Sequence, residues 1–150
     1  MVSACARLCR GTVEGQMPTR EQRVLVVDDD REIRGLVAGA LRRDGYTVVE
    51  AGDGPEALAV ASRLRPDLVV LDMTLPGMDG VEVARQLKAT PLLSMIPVVA
   101  LSALTQEAVR SRALAAGCAR YLTKPCPPAA LRDVVAQTLA AVGAGPGSSS

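Results

Sequence analysis

Short apolar runs rich in β-branched residues recur along this chain and alternate with stretches of helical period. Val24-Leu-Val-Val27, Thr47-Val-Val-Glu-Ala51, Leu68-Val-Val-Leu71, Pro97-Val-Val-Ala-Leu101 and Arg120-Tyr-Leu122 read as strands. The unbroken runs among them suit strands buried on both faces. After the first run, Ile33, Leu36, Val37, Ala40 and Leu41 repeat at helical spacing, with Gly45 as a stop signal. Asp53-x-x-Glu56 resembles a capping box with Pro55 in the first turn, and Ala57, Leu58, Ala61 and Leu64 follow on one face. Val81, Ala84 and Leu87 mark a third helix, and Thr105 is placed to cap a fourth that ends near Gly117. Pro127 and Pro128 open a last helix striped by Leu131, Val134, Val135, Leu139 and Val142.

Five strands alternating with five helices predict an α/β fold. Right-handed crossovers place helices on both faces of a parallel sheet. The folded unit is expected over 22–142. Residues 1–21 show no sustained period and read as a loose N-terminal extension, with Met17 a candidate natural start. The Gly-, Pro- and Ser-rich residues 143–150 read as a flexible tail.

Composition narrows the function. A chain of 150 residues suits one domain with a real core. It has no Phe or Trp and two Tyr, so that core is aliphatic. A net charge of +1 without a basic run argues against direct nucleic-acid binding. No apolar stretch reaches the roughly 20 residues of a membrane helix, and the first residues lack the apolar segment of a secretory signal. A cytoplasmic protein is expected. With no histidine, Ser-His-Asp triads, the usual zinc sites and phosphohistidine on this chain are excluded. Cys5, Cys9, Cys118 and Cys126 read as free thiols, Cys5 and Cys9 forming at most a weak metal motif.

Ligand sites in such sheets lie beyond the carboxyl ends of the strands. There the first strand ends in Asp28-Asp29-Asp30, the third in Asp72 and the fourth in Ser102, and the fifth runs into Lys124. Carboxylates crowded together need a cation or protons. An all-oxygen site with room for water suits Mg²⁺. A carboxylate beside a divalent cation and a lysine can act as a nucleophile toward phosphorus, with Ser102 placed to hydrogen-bond a phosphoryl oxygen.

Val24-Leu-Val-Val-Asp-Asp-Asp30, Val69-Val-Leu-Asp-Met-Thr-Leu-Pro-Gly-Met-Asp-Gly80, Pro97-Val-Val-Ala-Leu-Ser-Ala103 and Tyr121-Leu-Thr-Lys-Pro125 closely resemble the receiver domains of two-component response regulators. The resemblance covers about 22–142 and is nearest to the single-domain, chemotaxis-regulator type. It implies a flavodoxin-like (βα)5 fold with strand order 2-1-3-4-5. It also implies Asp72 as phosphoacceptor, and Asp28, Asp29, Asp72 and the Thr74 backbone carbonyl as Mg²⁺ ligands. Ser102 and Tyr121 match the switch pair, Lys124 the phosphate-pairing lysine, and Lys124-Pro125 a cis bond. The implied partners are a histidine kinase or phosphotransfer protein and a downstream protein target, with a monomer or a weak phosphorylation-dependent dimer. Such a protein catalyses only its own phosphorylation and dephosphorylation. Nothing after residue 142 reads as an output domain, so output is expected through protein contact or onward phosphate transfer.

Plainer roles fit some residues. Asp30 and Asp79 read as helix caps, Ser102 also fits the start of a turn, and Tyr121 also fits an edge-strand aromatic. The sequence lacks a Gly-rich phosphate loop, which weakens a nucleotide-binding reading. Two rivals stay open: a receiver-like scaffold that binds partners without phosphate, and an aspartyl-nucleophile phosphatase. The latter usually places a general acid where Thr74 stands. Cys126 occupies a position commonly Phe in the family, which implies a less filled pocket under the last helix. Leu104, two residues past Ser102, is expected to orient attacking water poorly.

Overall fold

A computed structural model of the chain describes residues 22–75, 77–103, 107–124 and 126–149, with side-chain surroundings as far as 141. Its elements are β1 Arg23–Val27, α1 Arg31–Arg43, β2 Thr47–Ala51, α2 Gly54–Leu64, β3 Leu68–Asp72, α3 Gly80–Ala89, β4 Val98–Ser102, α4 Glu107–Ala115, β5 Arg120–Thr123 and α5 Pro128–Ser149. All strand pairs are parallel, in the order β2-β1-β3-β4-β5. This is the expected 2-1-3-4-5 sheet.

The alternation of side chains along each strand divides the core into two layers. Leu25, Val27, Val69, Leu71, Val98 and Ala100 pack with buried residues of α2 and α3 and with Ala113 of α4. Val24, Val26, Leu68, Val70, Val99 and Leu101 pack on the opposite face with Leu41, Leu131 and Val135. β3 and β4 are buried at every position, which is why their sequences are continuous apolar runs.

Helix ends follow the predicted chemistry. Asp30 accepts from the N–H groups of Glu32 and Ile33, Asp53 from that of Glu56, and Asp79 from those of Val81 and Glu82. Glu56 differs from a strict capping box by taking the N–H of Gly52. The Thr105 cap, the Lys124-Pro125 bond, Leu104, Cys5, Cys9 and the segment 1–21 lie outside the described residues.

Two details differ from the pattern read along the chain. On α1, Ala40 and Leu41 are buried as expected and Val37 packs against the core, joined by Ala38, whereas Ile33 and Leu36 are 37% and 69% exposed. The α5 backbone is helical as far as Ser149, through residues expected to form a tail.

Candidate functional site

The carboxyl ends of β1 and β3 lie side by side, with Val27 opposite Leu71, so Asp28 and Asp72 emerge together. Carboxylate oxygens of Asp28, Asp29 and Asp72 all lie within 4.8 Å of one another. Asp28 and Asp72 are 3% and 2% exposed, and Asp29 faces solvent. Lys124, just beyond β5, reaches over both buried acids: its Nζ is 3.0 Å from Asp28 Oδ2 and 3.2 Å from Asp72 Oδ2. The backbone N–H of Lys124 donates to the Ser102 carbonyl at 2.8 Å, tying its loop to the end of β4.

Local turns fix the remaining carboxylate oxygens. Asp28 Oδ1 accepts from the Asp30 N–H at 2.9 Å. Asp72 Oδ1 accepts from the Thr74 N–H at 2.9 Å and from its hydroxyl at 3.0 Å. These contacts of Thr74 were not anticipated from sequence, although Asp-x-Thr is a pattern in which side chains commonly bond nearby backbone.

At the stated separation two carboxylates repel by about 3.5 kcal/mol for an effective dielectric of about 20. Burial pushes the Asp28 carboxyl above its ordinary value. The Asp30 N–H and Lys124 pull it back, and the charge of Asp72 pushes it up again. Burial also works against the Lys124 charge, but the hydrogen bond to Asp28 and the charges of Asp72 and Asp28 outweigh it. Lys124 is therefore held above its ordinary value. One ammonium against three acids leaves the cluster suited to a divalent cation with oxygen ligands.

Ser102 is fully buried at the end of β4, one residue past the Asp72–Leu101 pairing. Tyr121 stands on β5 opposite Ala100, half-buried against the layer shared with α2 and α3. A cavity of about 480 Å³ opens beside the acids, lined by Asp29, Thr74, Asp79, Val81, Val109 and Arg112 among others. Gly80 packs tightly against the end of β3: a Cβ there would stand 2.6 Å from the Asp72 carbonyl oxygen and the Met73 Cα. Of the described cysteines, Cys118 is buried and Cys126 half-buried, both as free thiols. No helix among the described residues is long and apolar enough to cross a membrane.

A parallel sheet with an acidic pocket at its carboxyl edge defines a class, and comparison with known proteins agrees with it. The family model for the response regulator receiver domain matches residues 24–136, and the chain belongs to that family of phosphorylation-dependent signalling domains. It is 42% identical over 124 residues to the DNA-binding response regulator MtrA of Mycobacterium tuberculosis, covering 83% of this chain and 52% of that protein. It is 43% identical over 107 residues to the alkaline phosphatase synthesis transcriptional regulatory protein PhoP of Bacillus subtilis, covering 71% and 44%. The chain thus spans about half the length of these curated relatives. Among solved structures, the chemotaxis protein CheY4 of Vibrio cholerae superposes with a TM-score of 0.76 at 31% identity, covering 79% of this chain and 98% of that one. A putative response regulator from Chloroflexus aurantiacus gives 0.77 at 32%, covering 81% and 99%.

Proposed function

We propose that this domain is a phosphorylation switch that accepts a phosphoryl group on Asp72 from the phosphohistidine of a histidine kinase or phosphotransfer protein. The observation that carries the reading is the Lys124 ammonium shared by Asp28 and Asp72 inside a cluster of three carboxylates. Asp28, Asp29 and Asp72, with the Thr74 backbone carbonyl, are the residues that would hold Mg²⁺. When bound, the ion supplies positive charge against the acids and the transferring oxygens.

Asp72 is held for in-line attack by Thr74 and Lys124. Its carboxylate forms the new O–P bond as the P–N bond of the donor breaks, and the donor imidazole leaves with the electron pair. Lys124 then pairs with the phosphoryl oxygens and the Ser102 hydroxyl donates to one of them. Tyr121 turns inward with that movement, and the face built from α4, β5 and α5 changes for a downstream protein. The loose seating of α4 supports this part of the reading, because Ala113 is its single buried residue among those described. The shift in population is set by how much better the phosphoryl group binds one conformer.

Labelling with acetyl phosphate tests the proposal. We expect Mg²⁺-dependent incorporation at Asp72 that EDTA abolishes and Asp72→Ala eliminates. Undiminished labelling of that variant would overturn the assignment. Absence of labelling in the wild type under any donor would favour the scaffold reading, and multiple turnover of small phosphate esters the phosphatase.

A further inference from the structure

The turn carrying Asp28 and Asp29 is restrained by a side chain outside the acid cluster. We propose that Arg34 is a positioning residue for Mg²⁺ binding, acting through the peptide group that joins Asp28 to Asp29. The inference rests on reading the acid cluster as a Mg²⁺ site.

The β1–β2 ladder ends here. The Asp28 N–H still reaches the Ala51 carbonyl at 3.2 Å, but β2 stops at Ala51 and the chain turns into α2 through its cap Asp53. In place of a strand N–H, Arg34 Nη1 donates to the Asp28 carbonyl at 2.8 Å. That carbonyl and the Asp29 N–H belong to one rigid peptide plane. Fixing the plane fixes the direction in which the Asp29 Cα leaves the strand. Asp29 needs this help, because no side-chain hydrogen bond among the described residues restrains its exposed carboxylate.

Arg34 is itself braced. Its Nε donates to Glu50 Oε1 at 3.0 Å, and Glu50 is also met by Arg42 at 3.3 Å. Gly52 leaves the passage open, since a Cβ there would stand 3.2 Å from Arg34 Nη1. The guanidinium uses two arms of its fork at once, one on β2 and one on the metal turn, which the single ammonium of a lysine does not reproduce.

The experiment titrates the full chain with Mg²⁺ alone, by calorimetry and by amide resonances of residues 28–30, without a phosphodonor. Arg34→Met is expected to raise the Mg²⁺ Kd by about tenfold, and Arg34→Lys by less. Arg42→Met removes the neighbouring contact to Glu50 without touching Asp28 and is expected to leave the Kd unchanged. A wild-type Kd in Arg34→Met, with only thermal stability lost, overturns the proposal, as does an equal weakening in Arg42→Met. Should Arg34→Met fail to fold, Arg34→Lys decides by the same criterion. Wild-type protein without a Mg²⁺ transition overturns the metal site itself, an outcome distinct from failure of the Arg34 role alone.

Discussion

Neutralising Asp29 separates the cost of the acid cluster from its use. Asp28 and Asp72 are buried against Lys124, so removing either orphans part of a half-buried ammonium's pairing. Asp29 is exposed and carries repulsion without that complication. Each of its two pairs amounts to about 3.5 kcal/mol at a dielectric of about 20. Exposure, counterions and Lys124 reduce the sum, and a net gain of about 1 kcal/mol is expected for Asp29→Asn in EDTA. For a domain of this size that is a rise in Tm of about 3–5 °C. Mg²⁺ at about a hundred times its Kd adds about 2.7 kcal/mol to the wild type and about 0.4 kcal/mol to a variant that binds about a hundredfold more weakly. The order of stability therefore reverses: the variant melts higher in EDTA and the wild type higher in Mg²⁺. Thermal melts followed by circular dichroism in the two buffers measure this. A variant that melts lower in EDTA, or an equal Mg²⁺ shift for both proteins, refutes the reasoning.

Three other outcomes follow from the same geometry. Gly80→Ala drives a methyl group into the backbone at Asp72 and Met73; it should cost about 2 kcal/mol in urea unfolding, and an unchanged midpoint would show that α3 yields freely. Cys126→Phe enters a groove of about 400 Å³ lined by Ile33, Leu36, Val37, Leu101 and Leu131 among others. It should add about 1 kcal/mol of stability, while a lower Tm would mean that the ring does not fit. Lys124 has a folded pKa above its ordinary 10.5, so its contribution is complete below that value and lost as pH rises through the folded one. The stability difference between wild type and Lys124→Met should accordingly shrink as pH rises above 10.5 and through the higher folded value; a difference that grew with pH would contradict the pairing.

The strands and the convergence of Asp28, Asp29, Asp72 and Lys124 were readable because their signals are local. A continuous run such as Leu68–Leu71 has few alternatives to a doubly buried strand, and acids at strand ends follow once the strands are placed. On α1 the predicted stripe held at Ala40 and Leu41 and failed at Ile33 and Leu36, because periodicity weights large residues and passed over Ala38, which is buried. Arg34 carried no signal at all. Its role exists only because β2 lies beside β1 and brings Glu50 into reach, a consequence of sheet order rather than of spacing along the chain. Thr74 lies between these cases, since its hydroxyl answers to Asp72 two residues away.

The two ends of the proposed switch are anchored very differently, and the arithmetic favours that contrast. Asp28 and Asp72 stand on central strands buried on both faces, so charge placed there meets a rigid frame. On α4, one alanine is buried among the described residues, and the tie from Arg112 to Asp79 is 3.6 Å long between side chains more than half exposed. Such a pair contributes about 0–1 kcal/mol. Moving a two-state equilibrium from about 1:99 to 99:1 takes about 5.5 kcal/mol of differential binding. A phosphoryl group held by Lys124 and Ser102 needs to outweigh only the weak seating of α4, not the sheet. Under the proposed function, shift of this one helix therefore lies within reach of a phosphoryl group at Asp72, while the acid cluster that would receive it stays in place.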